Sequence, residues 1–326
     1  MKSFTSVMLS KFSQMAISIV VFFLVLFVVF AIAGKVKGRL AKPVALLIFL
    51  VPAIALLMTG LVVPAIRTFY FSTLDANSLK SVGLENYKWA FTDPGMRQVL
   101  VNTALWTIIT PIVTTCLGLL LAIMLDRIKR ESVPKSIIFM PMAISFVGAS
   151  IIFKFMFEYR DPTDPQIGLL SALVKTIGFE PSNWLLVKPL NTFLLMIIFI
   201  WTQTGFAMVI LSAAIKALPA DVVEASALDG ASGWKLFRNI TFPMVRPTFI
   251  VVLATMVVTS LKLFDIVRTM TGGNFGTSVL ANEMYSQIFV QFDAGKGSAL
   301  AIILFISVMP ILIYNIYSLR KQRAIG

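Results

Sequence analysis

The stretch QVLVNTALWTIITPIVTTCLGLLLAIML, residues 98–125, runs for 28 residues without a charge between Arg97 and Asp126. As a helix it would be about 42 Å long, more than the roughly 30 Å of a bilayer's hydrocarbon. Four more uncharged intervals qualify in the same way: residues 12–34, 43–66, 189–215 and 297–319. Two further runs, 136–157 and 247–266, qualify if Lys154 and Lys262 near their outer ends snorkel or find a partner. The pattern predicts an all-α membrane protein with seven transmembrane helices. Composition agrees, since only 13% of residues are charged and 58% are apolar, against about 25% charged in an ordinary soluble domain.

Working outward from these runs, the charges set an orientation. The net charge of +13 is dispersed between apolar segments, with no basic tract or nucleic-acid motif, so the partner it predicts is a lipid bilayer. With seven spans and the first loop inside, the internal segments hold 15 basic and 5 acidic residues, and the external ones 11 and 9. The positive-inside bias therefore favours an external N-terminus and a cytoplasmic C-terminus. Residues 12–34 end in Ala31-Ile32-Ala33, like a cleavage site, but removing them would invert every later loop, so the first span is expected to be retained. Prolines 52, 111, 141 and 310 fall within spans, where kinks are expected.

Several chemistries are excluded. The chain has no histidine, and its one cysteine, Cys116, lies in the middle of the third span, where it is expected to be a small buried hydrophobe. Histidine triads and histidine or thiolate metal sites cannot be built, no metal site is expected, and no pair of carboxylates within the spans suits an intramembrane enzyme.

The connection between the fifth and sixth spans, residues 216–246, reads as two short helices. Pro219 suits a first helical turn, Asp221 and Glu224 complement that helix's N-terminus, and Asp229-Gly230 reverses the chain. Ser232 is placed to cap a second helix carrying Trp234, Phe237 and Ile240, which Pro243 and Pro247 would end. Such a pair is too small to be a domain and must lean on the bundle.

Glu224-Ala225-Ser226, then Gly230, Ile240 and Phe242-Pro243, resembles the EAA loop of permease subunits of bacterial ABC importers. Ser226 and Phe242 stand where that pattern has alanine and leucine. Phe264-Asp265 and Thr271-Gly272-Gly273 resemble the outer end of the penultimate span in carbohydrate importers of this kind. The resemblance implies residues 1–42 as an N-terminal extension with one helix, similar to the larger permease of the maltose and α-glucoside type, and 43–326 as the six-helix core.

It further implies a non-catalytic subunit in the bacterial cytoplasmic membrane that imports an oligosaccharide such as maltose, trehalose or another α-glucoside. Asp221, Glu224, Ala225, Asp229 and Gly230 would dock a cytosolic ATPase, and Trp234, Phe237, Ile240 and Pro243 would anchor the loop. The implied partners are a second permease, two ATPase subunits and an external solute-binding protein. No Walker-type phosphate loop is present, and ATP and magnesium would sit on the ATPases. Candidate solute contacts are Asn102, Trp106, Trp201, Gln203, Thr204, Thr255 and Thr259; hydrogen bonding between helices explains the same residues. Lys262 and Asp265, three residues apart, are expected to pair. The alternatives are an importer for a non-sugar solute, or an ion-coupled carrier or channel with Lys154, Lys262 or Asp265 in its path.

Overall fold

The computed structural model describes residues 4–35, 41–126, 128–161, 163–228 and 230–323. It is built from helices, with no β-strand among the described residues beyond a single bridge between Leu74 and Ser81. In order these are α1 (Phe4–Lys35), α2 (Ala41–Leu57), α3 (Val63–Phe71), α4 (Glu85–Thr92), α5 (Pro94–Leu125), α6 (Ser132–Phe139), α7 (Phe146–Met156) and α8 (Leu169–Thr176). There follow α9 (Leu190–Lys216), α10 (Ala220–Leu228), α11 (Gly233–Leu236), α12 (Phe242–Leu261), α13 (Asp265–Met270), α14 (Leu280–Phe289) and α15 (Ala294–Arg323). Among the described residues, six helical runs are long and apolar enough to cross a membrane, and a bent pair makes a seventh if it counts as one span.

The chain divides into two units, Met1–Arg67 and Thr68–Gly326. In the first, α1 and α2 carry apolar side chains on every side and leave Phe12, Phe22, Phe27, Leu47 and Leu56 exposed. A helix apolar all round suits lipid. A π turn at Met58–Val62 carries α2 into α3 without a break.

In the second unit α5 and α9 form the centre. They pack tightly at Gly118, where a Cβ would stand 2.6 Å from the Cβ of Ala207. Gly205, two residues before Ala207, presses against the Ile138 carbonyl at the end of α6 in the same way. Small residues at such contacts let helix backbones approach where lipid offers no hydrophobic drive. Met208, Leu211, Val245 and Val252 close around the Gly118 contact, and Phe199, Trp106 and Met256 form a second cluster toward the other end.

The fourth predicted span is not one straight helix. Ser132–Ala143 and Phe146–Met156 meet at 99°. Pro141 lies in a tight 3-10 turn, Met140–Ala143, and Ser145 then leaves helical geometry at φ −62°, ψ 152°. Its hydroxyl accepts the Gly148 N–H at 3.1 Å and starts α7 afresh, so the sequence carries both a stop and a new cap. Prolines 52, 111 and 310, by contrast, sit within continuous helices. The sixth span also differs from expectation, since the helical run is Gly233–Leu261 and ends before Lys262.

At one end of the bundle a small ionic network joins α6 to α9. Lys135 Nζ donates to Glu131 Oε2 at 2.6 Å and to Ser212 Oγ, and lies 3.5 Å from Asp126. Lys216 pairs with the other Glu131 oxygen and lies 3.8 Å from Asp126. The bonds from Lys135 and then Lys216 hold the Glu131 carboxyl down to about 2 from its ordinary 4.5.

Two outcomes follow from this packing. Gly118→Val should lower the thermal unfolding midpoint of the detergent-purified protein, by overpacking worth on the order of 1–3 kcal/mol. Gly60→Ala, with nothing within 4 Å of the added methyl, should leave the midpoint unchanged. Because the Glu131 carboxyl is depressed in the folded chain, its contribution is complete above about pH 4.5 and is lost as pH falls toward 2. The stability difference between wild type and Glu131→Gln should therefore be constant from pH 6 to 8 and shrink below about 4.5; a pH-independent difference would contradict the pairing.

Candidate functional site

The segment after α9 is largely exposed. Pro219 precedes α10, and its carbonyl accepts from Val222 and Val223 at 3.2 and 3.4 Å. Gly230, at φ +78°, ends the helix, with the Ala231 N–H on the Ser226 carbonyl at 2.9 Å. This is a left-handed cap that glycine adopts without strain. Asp221, Glu224, Ala225 and Leu228 recur at helical spacing, so one face of α10 carries two carboxylates and ends in a leucine 90% exposed. Neither Asp221 nor Glu224 makes an ion pair with the described residues. Asp229, expected beside them, lies outside the described residues.

The second helix of this segment is not separate. Ser232 occupies the capping position, but its side chain makes no capping bond. After one turn of α11, a π turn at Phe237–Thr241 leads directly into α12. The Phe242 N–H reaches back five residues to the Phe237 carbonyl, and Pro243, which has no N–H to donate, follows directly on this π turn. Pro243 and Pro247 therefore do not end the helix.

Of the expected anchors, Phe237 packs into the Gly118 cluster, whereas Trp234 is 69% exposed, Ile240 is half-buried and Pro243 is exposed. Phe242 and Phe249 do more of the anchoring than was foreseen. Trp234, Phe237, Phe242 and Phe249 form an aromatic ladder with ring centroids 5.2, 5.9 and 5.7 Å apart. The ladder and α5 enclose an apolar groove of about 560 Å³. Cys116 lines it and is exposed there, contrary to the expectation of burial, because it turns away from the α9 contact.

The candidate solute residues are not brought into one place. Trp201 and Thr204 share a cavity of about 420 Å³ with Pro141 at the break in the fourth span, and Gln203 beside them is half-buried. Trp106 is 1% exposed and edge-on to Phe199 at 6.3 Å. Thr255 is exposed and Thr259 half-buried, each hydroxyl donating to a carbonyl of its own helix at 2.8 Å. Lys262 and Asp265 do not pair. Helix α12 stops at Leu261 and Asp265 opens α13, so the three-residue spacing that would align them is interrupted.

Asn102 is a structural fastener. Its Nδ2 donates to the Gly276 and Ser278 carbonyls at 2.7 and 2.9 Å, and Asn191 reaches the Phe275 carbonyl at 3.0 Å. Thr103 Oγ1 accepts the Leu280 N–H at 2.9 Å. Helices α5 and α9 thus hold the glycine-rich turn between α13 and α14, where Gly272, Gly273 and Gly276 all have positive φ. The sequence reading passed over the polar residues around this turn, Lys188, Asn282, Glu283 and Gln287. The one local signal was the four-residue spacing of Glu283 and Gln287. No group of three metal-ligating side chains occurs among the described residues.

Comparison with known proteins places these features in a family. Residues 89–325 match the model of the binding-protein-dependent transport system inner membrane component. The chain is 47% identical over 274 residues to the osmoprotective compounds uptake permease protein GgtC of Synechocystis sp., covering 84% of this chain and 98% of that protein. It is 42% identical over 285 residues to the alpha-glucoside transport system permease protein AglF of Rhizobium meliloti, covering 87% and 85%. A chain of the bacterial alginate ABC transporter, solved with an alginate pentasaccharide-bound periplasmic protein, shares the fold at TM-score 0.73 and 19% identity, over 85% of this chain and 94% of that one. The chain belongs to the family of inner membrane components of binding-protein-dependent transport systems, and is a non-catalytic, multi-pass permease subunit of the ABC importer type, with the ATPase on partner subunits.

Proposed function

We propose that this chain lines the translocation path of an ATP-driven importer of sugars, α-glucosides such as maltose and trehalose, or of osmoprotective compounds. The solute class is carried over from the names of the two relatives. The observation that carries the coupling role is the exposed acidic face of α10, held on a segment whose other end is built into α12. In this reading Asp221, Glu224, Ala225 and Gly230, with Asp229 beside them, dock an ATPase subunit. The aromatic ladder passes its movement to α12 and, through the Gly118 contact, to α5 and α9.

The remaining partners in this reading are a second permease chain, a second ATPase subunit and an external solute-binding protein, with ATP and magnesium held by the ATPases. The charge bias supports an external N-terminus and a cytoplasmic C-terminus, which puts α10 on the ATPase side. Residues 1–42 then form an extension and 43–326 the translocating core. Of the candidate solute contacts, Asn102, Trp201 and Thr204 line cavities and Thr255 and Thr259 keep accessible positions, whereas Trp106 is enclosed within the bundle.

Glu224→Lys tests the coupling role. In proteoliposomes holding the complete importer, ATP-driven uptake of radiolabelled trehalose or maltose should fall more than tenfold, with the complex still assembled. Undiminished uptake would overturn the docking role of α10. Uptake of a non-sugar control alone would overturn the solute class, and uptake indifferent to ATP would overturn the energy source.

A further inference from the structure

At the end of the bundle away from α10, two polar cavities of about 460 and 340 Å³ meet along α14, with Gly273, Ser278, Glu283 and Gln291 in both walls. The larger falls within the range of small-molecule sites. Their hydrogen bonding is incomplete in one direction. Gln287, 3% exposed, donates from Nε2 to Glu283 Oε1 at 2.9 Å, and its own buried Oε1 receives no donor. Asn282, 1% exposed, donates from Nδ2 to Ser278 Oγ at 3.0 Å, and its buried Oδ1 receives none either.

Reversing the amides would not satisfy them. The Gln287 oxygen would then face the Glu283 carboxylate, and the Asn282 oxygen would face the Gly272 carbonyl, 3.5 Å from its present nitrogen. Unsatisfied buried acceptors are uncommon, and two on one short helix point to a donor supplied from outside the chain.

The charges are arranged in the same spirit. Glu283 accepts from Ser278 Oγ at 3.3 Å and from Gln287, yet forms no ion pair with the described residues. Lys188 lines the larger cavity with it and likewise makes no ion pair with the described residues. Its side chain lies across Gly276, where a Cβ would stand 2.8 Å from Lys188 Cε. Two carboxylates, Asp93 and Glu283, and the Lys188 ammonium thus line one cavity with no ion pair among them, and Trp89 adds an aromatic wall.

We propose that this cavity is an outer binding site for a neutral, hydroxyl-rich solute. A hydroxyl both donates and accepts, so neighbouring hydroxyls on one ring can donate to Asp93 and Glu283 while accepting from Lys188, and reach Gln287 Oε1, sealed in this structure, once that side chain turns toward the cavity. A simple anion would meet the two carboxylates, and a simple cation the Lys188 ammonium. The Asn282 amide oxygen continues the row of acceptors into the smaller cavity. The site rests on the sugar-import reading above and adds a second station, at the mouth of the bundle and separate from Thr255 and Thr259.

The test uses the complete importer in nanodiscs, without binding protein or ATP, and saturation-transfer NMR with trehalose as the probe. Wild type should give a saturable signal that excess maltose displaces. Glu283→Gln and Lys188→Met, each nearly equal in volume to the residue replaced, should lower it at least fivefold with the complex still assembled. No wild-type signal, or equal signals in all three proteins, would overturn the site. Variants that keep the signal but lose docking of the binding protein would also overturn it and assign the surface to that protein. Wild-type ATP-driven trehalose uptake, measured in parallel, separates the two readings. Uptake without a variant-sensitive signal removes only the outer site, and a variant-sensitive signal without uptake removes only the import of this sugar.

Discussion

The close approach of α5 to α9 at Gly118 and Ala207 is the constraint on which the second unit depends. In hydrocarbon there is no water to expel between helices, so packing quality has to hold them together. A side chain at Gly118 would separate the two backbones and open the cluster formed by Met208, Leu211, Val245 and Val252. Gly205 extends the same logic to the Ile138 carbonyl, seating the broken fourth span against α9.

With the centre closed by apolar contact, the two ends are closed by polar ones. At one end Glu131 and Asp126 gather Lys135 and Lys216, so that the loop after α5 and the last turn of α9 move together. At the other, Asn102 and Asn191 hold the carbonyls of the glycine-rich turn, satisfying backbone groups that neither helix nor sheet would pair. A movement imposed on α10 therefore enters a body whose α5 and α9 are tied at top, middle and bottom.

The site residues divide by what each side chain has to do. The placement of Asp221, Glu224 and Gly230 was legible because a short helix, an acidic face and a left-handed cap are all written within a dozen residues. The surroundings of Trp106 and Asn102 were not, because a polar or aromatic residue in an apolar run reads the same whether it faces a path or fastens a neighbour. Only the partner distinguishes the two, and for Asn102 that partner is more than 170 residues away.

The sequence alone determined the number and length of the apolar runs, since crossing hydrocarbon demands about 20 uncharged residues whatever the fold. It also determined the loop pattern that resembles a permease family, and the absence of histidine and thiolate chemistry. Tertiary structure alone decided that Phe242 and Phe249 continue the anchor of Trp234 and Phe237, that Lys262 and Asp265 stand apart, and that Lys188, Glu283 and Gln287 share a cavity. The physical reason is that span length and local caps follow from the chemistry of adjacent residues, whereas burial, pairing and cavities follow from which helices the chain brings side by side.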